Sequence, residues 1–92
     1  MKLLYFFTNK TKTLTTSNIF QAENMLQAYE LLIDIINNEV DCDNKFTDAE
    51  IKKMFASDTI DLHEGNFCRI INYNGRDNIE KIANKDFNQI SI

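Results

Sequence analysis

Proline is absent from this 92-residue chain, glycine occurs only at Gly65 and Gly75, cysteine at Cys42 and Cys68, and histidine at His63 alone. Each shortage removes a class of chemistry. Two isolated glycines cannot build the glycine-rich loop that lets backbone amides close on a phosphate. Cys42, Cys68 and His63 lack the short ligand spacings of a zinc site, and two cysteines make no disulfide framework, so two reduced thiols are expected. Long apolar runs are missing too. Leu31 to Ile36 is interrupted by Asp34 and falls far short of the roughly 20 apolar residues of a membrane span. The N-terminal Met1-Lys2-Leu3-Leu4-Tyr5-Phe6-Phe7 is too short for a signal-peptide core and reads as the first strand of a cytosolic protein.

What remains is the composition of one globular domain over residues 1–92: 43% hydrophobic, 26% charged, with no linker, repeat or low-complexity tract. Asn, Ile, Lys, Phe and Tyr together make 42 of the 92 residues. These residues have A+T-rich codons, so the bias is a genome fingerprint of a low-GC bacterium or a virus of one, and it explains the asparagine content without a special role for it.

Residues 2–8 and 13–21 are rich in aromatic, Thr and Ile residues and read as an antiparallel pair of strands around a polar break at 8–12. Asn24 and Gln27 resemble a capping box that starts a helix, whose apolar stripe runs through Met25, Ala28, Tyr29, Leu32, Ile36 and Val40. Leu26, Leu31, Ile33 and Ile35 widen that stripe, for contact with a second helix or for self-association. The second helix has the clearest start in the chain. Thr47 and Glu50 form a capping box, Phe46 and Ile51 stand at the staple positions, and Asp48 lies in the first turn. Beyond a turn at Glu64-Gly65-Asn66, Asn74-Gly75 predicts a hairpin between 67–73 and 76–82, with Arg69 opposite Glu80 and Ile70 opposite Ile79. Residues 86–92 read as a last short strand. The expected fold is α+β, two helices packed on one antiparallel sheet in the rough order β-β-α-α-β-β-β.

Charge is unevenly placed. Residues 30–64 hold ten carboxylates against three lysines, a local charge of -7 in a chain of net -4, while both flanking stretches are slightly positive. Such a segment is either an ordinary solvated face or an anionic docking surface that competes for a basic groove as DNA phosphates do. No basic stripe interleaved with aromatics is present, so direct nucleic-acid binding is not expected. Asp41-Cys42-Asp43 opens like a calcium loop, but Lys45, Phe46 and Lys52 occupy the fifth, sixth and twelfth positions, where the loop needs a ligand, a glycine and a bidentate glutamate. Cys68 and His63 could face each other across the Gly65 turn as nucleophile and base, although only Arg69 stands near to lower the thiol pKa.

Elimination leaves a protein whose work is done by its surface: not an enzyme, with no cofactor and no metal. The sequence-based expectation is a small inhibitor, encoded by a phage or mobile element and acting in the cytoplasm of a bacterial host. It would block a restriction or CRISPR nuclease, or another basic nucleic-acid-binding protein, by mimicking DNA. Its anions would be Glu39, Asp41, Asp43, Asp48, Glu50, Asp58, Asp61 and Glu64. An immunity protein that blocks a nuclease with an acidic face would read the same way. The alternative is a homodimeric structural or regulatory module with no nucleic-acid link, associating through Leu31 and Ile35 or through an edge strand at Phe87 to Ile92.

Overall fold

A computed structural model of the chain describes residues 1–38, 46–57 and 59–90. Four strands, β1 (Lys2–Thr8), β2 (Ile19–Ala22), β3 (Thr59–Asp61) and β4 (Asn66–Asn72), form one antiparallel sheet in the order β2-β1-β4-β3. Three helices, α1 (Met25–Asn38), α2 (Asp48–Phe55) and α3 (Ile79–Ile90), accompany it. The fold is α+β, as the sequence implies.

The central strand sets the layering. In β1, Leu3, Leu4 and Tyr5 have no exposed surface although consecutive residues point to opposite faces, so both faces of the sheet are covered. On one face Leu4, Ile60 and Cys68 pack with Leu32, Ile35 and Ile36 of α1 and Ile51 of α2. Tyr29 and Phe55 join the two helices edge to face at 5.4 Å. On the other face Leu3, Tyr5 and Ile19, with Leu14 from the β1–β2 connection, pack with Ala83 and Phe87 of α3.

Local signals account for most boundaries. Thr47 accepts from the Glu50 amide at 3.2 Å while the Glu50 carboxylate accepts from the Thr47 amide at 3.1 Å, which completes the expected capping box of α2. At α1 the Asn24 side chain accepts from the Gln27 amide at 3.0 Å, but Gln27 reaches back to the amide of Glu23, one residue earlier than the box requires. The second strand is shorter than 13–21. Thr15, Ser17 and Asn18 bond one another through their side chains, and residues 16–18 coil into a 3₁₀ turn before β2 begins.

The C-terminal third departs from expectation. Residues 79–90 form helix α3 where the Asn74-Gly75 turn predicts a returning strand and then another at 86–92. A type I′ turn needs positive φ at both central residues. Gly75 has φ +82°, but Asn74 is not among the described non-glycine residues with positive φ. Instead the Asn74 side chain accepts from the amides of Arg76 at 2.8 Å and Asp77 at 3.2 Å. Asn78 then caps α3 by accepting from Lys81 at 3.1 Å. Ile79, Ile82, Ala83, Phe87 and Ile90 recur at helical spacing and lie on one stripe against the second face. Arg69 therefore does not face Glu80, nor Ile70 Ile79. Of the residues named for self-association, Ile35 is buried, Leu31 is half-buried, and Phe87 is 3% exposed and belongs to α3 instead of an edge strand.

Phe87 meets Tyr5 at 6.2 Å and Phe7 at 5.1 Å, both edge to face. Phe87→Ala should lower unfolding stability by about 3 to 5 kcal/mol in a urea titration; a loss below about 1 kcal/mol, the usual range for an exposed site, would contradict this placement. The β3–β4 turn offers a change of opposite sign. His63 and Glu64 hold φ of +71° and +56°, a region where side chains are strained. Glu64→Gly should stabilise by about 0.5 to 1 kcal/mol in the same titration, after the extra backbone freedom of glycine in the unfolded chain is offset. Any loss of stability would refute it.

Candidate functional site

The acidic residues singled out by sequence divide into two groups. Glu39, Asp41, Asp43 and Asp58 lie outside the described residues, as do Cys42 and most of the calcium-like loop. Asp48, Glu50, Asp61 and Glu64 are described, and all four are exposed. Their backbone settings bring them to one end of the molecule. The Phe46 ring, just ahead of α2, stacks on His63 at 5.4 Å with 16° between planes. That contact sets the start of α2, with Asp48 and Glu50, beside the β3–β4 turn that carries Asp61 and Glu64. Glu50 is partly committed to its cap, and Asp61 accepts from the His63 amide at 2.8 Å. Asp48 and Glu64 make no side-chain hydrogen bond or ion pair with described residues.

Lysines also stand near this group: Lys10 is exposed and follows Asn9, which bonds the turn at Gly65. Lys52 and Lys53 follow in the last turn of α2, where the helix dipole favours cations, and leave the first turn to Asp48 and Glu50. The turn itself is pinned from outside. The Asn9 amide donates to the Gly65 carbonyl at 2.8 Å, and a Cβ on Gly65 would stand 3.0 Å from the Asn9 side chain.

A second polar feature joins the sheet to α3 and has no counterpart in the sequence reading. The Asp86 carboxylate accepts from Arg69 at 2.6 Å through Nε and 3.1 Å through Nη2, and from the Tyr5 hydroxyl at 2.5 Å. Arg69 Nη1 also donates to the Thr59 hydroxyl at 3.0 Å. Four elements, β1, β3, β4 and α3, meet in this group. Burial first, and then the neighbouring Asp86 carboxylate, hold the Tyr5 phenol protonated far above its usual range. Tyr5 has no exposed surface, so its hydroxyl has no path to a substrate, and the cluster is a structural tie. One signal marks it in the sequence. Asp86 falls between Ile82 and Ile90 on the apolar stripe of α3, where a carboxylate needs a buried cation or donor.

Cys68 and His63 are not brought together. Cys68 points into the core under α1 and α2 with no exposed surface, whereas His63 is exposed against Phe46. Burial alone pushes the Cys68 thiol up to about 12, the wrong direction for a nucleophile at neutral pH. Among the described residues, no group of three or more His, Cys, Asp or Glu is placed to hold a metal ion. Among the described residues no helix is long and apolar enough to cross a membrane.

The described surface carries open hollows. One of about 450 Å³ is lined by Met1, Tyr73, Asp77 and Ile82, and its Tyr73 hydroxyl already donates to the Asp77 carbonyl at 2.6 Å. Two others, of about 170 and 200 Å³, share Leu31 and Asp34 and flank α1 beside β2. Compared with protein-family models, curated proteins and solved structures, the chain matches none.

The buried thiol makes a pH prediction. Cys68 titrates near 9 when unfolded and near 12 when folded. Between these values the unfolded chain has released a proton that the folded chain keeps, so stability falls as pH rises, by up to about 1.4 kcal/mol per pH unit. Tyr5 acts with the same sign above its ordinary value of 10.0. Urea midpoints measured from pH 8 to 12 should therefore decline, and the decline should be shallower in Cys68→Ala. An equal slope in both proteins would show that Cys68 ionises as freely folded as unfolded.

Proposed function

We propose that this chain is a non-enzymatic inhibitor that docks an acidic surface onto the basic nucleic-acid channel of another protein. A defence nuclease of the restriction or CRISPR type in a bacterial host fits that description, with the inhibitor encoded by a phage or mobile element. The observation that carries the reading is the segregation of charge: -7 over residues 30–64 in a chain of -4. The exposed Asp48, Glu50, Asp61 and Glu64 at one end of the molecule support it, since carboxylates gathered on a rigid frame present charge as phosphates do. Docking would displace counterions from the basic partner, which makes the complex sensitive to salt.

The test is capture of partner proteins from bacterial lysate on the tagged chain at low and high salt, with mass spectrometry of what is retained. A nuclease or other DNA-binding complex should be recovered at low salt and lost as salt rises. Reversing three anions together, Glu39→Lys, Asp41→Lys and Asp43→Lys, should lower recovery at least about tenfold. Glu80→Lys, on α3 across the sheet from α1 and α2, should leave it unchanged. Equal recovery by the triple variant, or recovery indifferent to salt, would sink the proposal.

A further inference from the structure

Among the described residues strand β2 ends the sheet, hydrogen-bonded to β1 on one side and to no described strand on the other. Exposed edges are normally blunted by lysine, proline, a bulge or extreme shortness, because alternate residues present unpaired N–H and C=O groups to any passing chain. Ile19-Phe20-Gln21-Ala22 has no proline and no charge, and its register with β1 runs without a bulge from Lys2↔Ala22 to Tyr5↔Ile19. The opposite edge is managed differently. β3 has only three residues, and the Ser57 hydroxyl already donates to the Thr59 carbonyl at 3.0 Å.

Beside this edge two hollows along α1 share Leu31 and Asp34 in their linings. The first is floored by the apolar Phe20, Leu31 and Ile35, the second is lined mainly by the polar Gln21, Gln27, Glu30 and Asp34, and the charged groups of the two, Glu30 and Asp34, stand one helical turn apart on α1. Both carboxylates are exposed, and neither makes a side-chain hydrogen bond or ion pair with described residues. Among the described residues no lysine or arginine lines either hollow. A strand edge with no described neighbour, an apolar patch and two anions with no partner among the described residues thus lie side by side.

We infer that this edge accepts an extended segment of another protein that alternates apolar residues with lysine or arginine, added as a fifth strand next to β2. Backbone hydrogen bonds to β2 would supply affinity. Apolar side chains on one face of the segment would enter the hollow over Leu31, and its cations would meet Glu30 and Asp34. A segment of about four to six residues matches the edge, which at roughly 3.3 Å per residue is about 13 Å long. A second copy of this chain fits poorly. Antiparallel pairing of β2 with itself would lay two α1 helices side by side and gather both Glu30–Asp34 pairs, four like charges, around the symmetry axis. The charge of the groove therefore selects a cationic partner. The inference is separate from the acidic end described above, and its test involves no nuclease.

The probe is a capped hexapeptide alternating valine and lysine, titrated into the isotopically labelled full chain while backbone amide resonances are followed. Shifts should concentrate at residues 19–22 and along 27–34. Glu30→Lys with Asp34→Lys should weaken binding at least about tenfold, and both side chains are exposed on a helix whose buried face they do not touch. A peptide with proline at alternate positions should not bind, because it lacks the amides a new strand must donate. The inference is overturned by any of three results: no shifts at 19–22, equal response to a valine–glutamate peptide, or a free chain that already dimerises through 19–22.

Discussion

Burial of β1 from both sides is the constraint on which the rest of the structure depends. A strand whose side chains alternate between two apolar faces cannot sit in a two-layer fold, because one face would remain in water. Leu4 and Phe6 face the α1–α2 layer, while Leu3, Tyr5 and Phe7 face the other way. Once the first face is covered by the two central helices, the second requires a further element, and α3 is the only length of described chain left to supply it. The pairing partner follows the same logic. β4 places Ile70 and Cys68 opposite Leu4 and Phe6, and Ile71 and Phe67 opposite Leu3 and Phe7, so both strands are apolar on both sides.

Apolar contact alone would let α3 slide along this face, since it is non-directional. The Arg69–Asp86 pair removes that freedom by its two-pronged geometry, and the Tyr5 hydroxyl fixes which carboxylate oxygen lies inward. Asn84 adds a second fixed point. Its side chain accepts from the Leu14 amide at 2.8 Å and donates to the Leu14 carbonyl at 3.0 Å, and so holds the β1–β2 connection against the helix. Removing Asp86 would take from the half-buried Arg69 its charged partner and from the Tyr5 hydroxyl its acceptor, which is why such groups cost more to break than to replace whole. The Arg69–Asp86–Tyr5 group thus fixes how α3 sits on the sheet.

The legible parts of the sequence were those decided by local interactions. Thr47 and Glu50 announce α2 because both halves of the cap lie within four residues, and the two initial strands announce themselves by composition. The region after Asn74-Gly75 was misread because a local turn signal was given priority over a non-local demand. Asn74-Gly75 favours a hairpin in isolation, but the alternation a returning strand needs is absent over 76–82, and the spacing of Ile79, Ile82, Ala83, Phe87 and Ile90 is helical. The unbroken run Leu3-Leu4-Tyr5-Phe6-Phe7 carried the same information, since continuous apolarity marks a strand covered on both faces. The ion pair could not have been located without the helix: Arg69 finds Glu80 in a hairpin and Asp86 in a helix crossing the sheet.

Surface charge was legible as an amount but not as an arrangement. The acidic excess of residues 30–64 is fixed by composition, yet folding sends its members to different places. Asp48, Glu50, Asp61 and Glu64 reach one end through the Phe46–His63 stack, whereas Glu30 and Asp34 line the groove beside β2. The two settings differ in physical character. Anions around a turn and a helix start attract through their field alone, over about a Debye length of 8 to 10 Å, and lose that attraction in salt. Anions next to an open strand edge act after contact, where backbone hydrogen bonds and an apolar floor supply the affinity and charge selects the sequence.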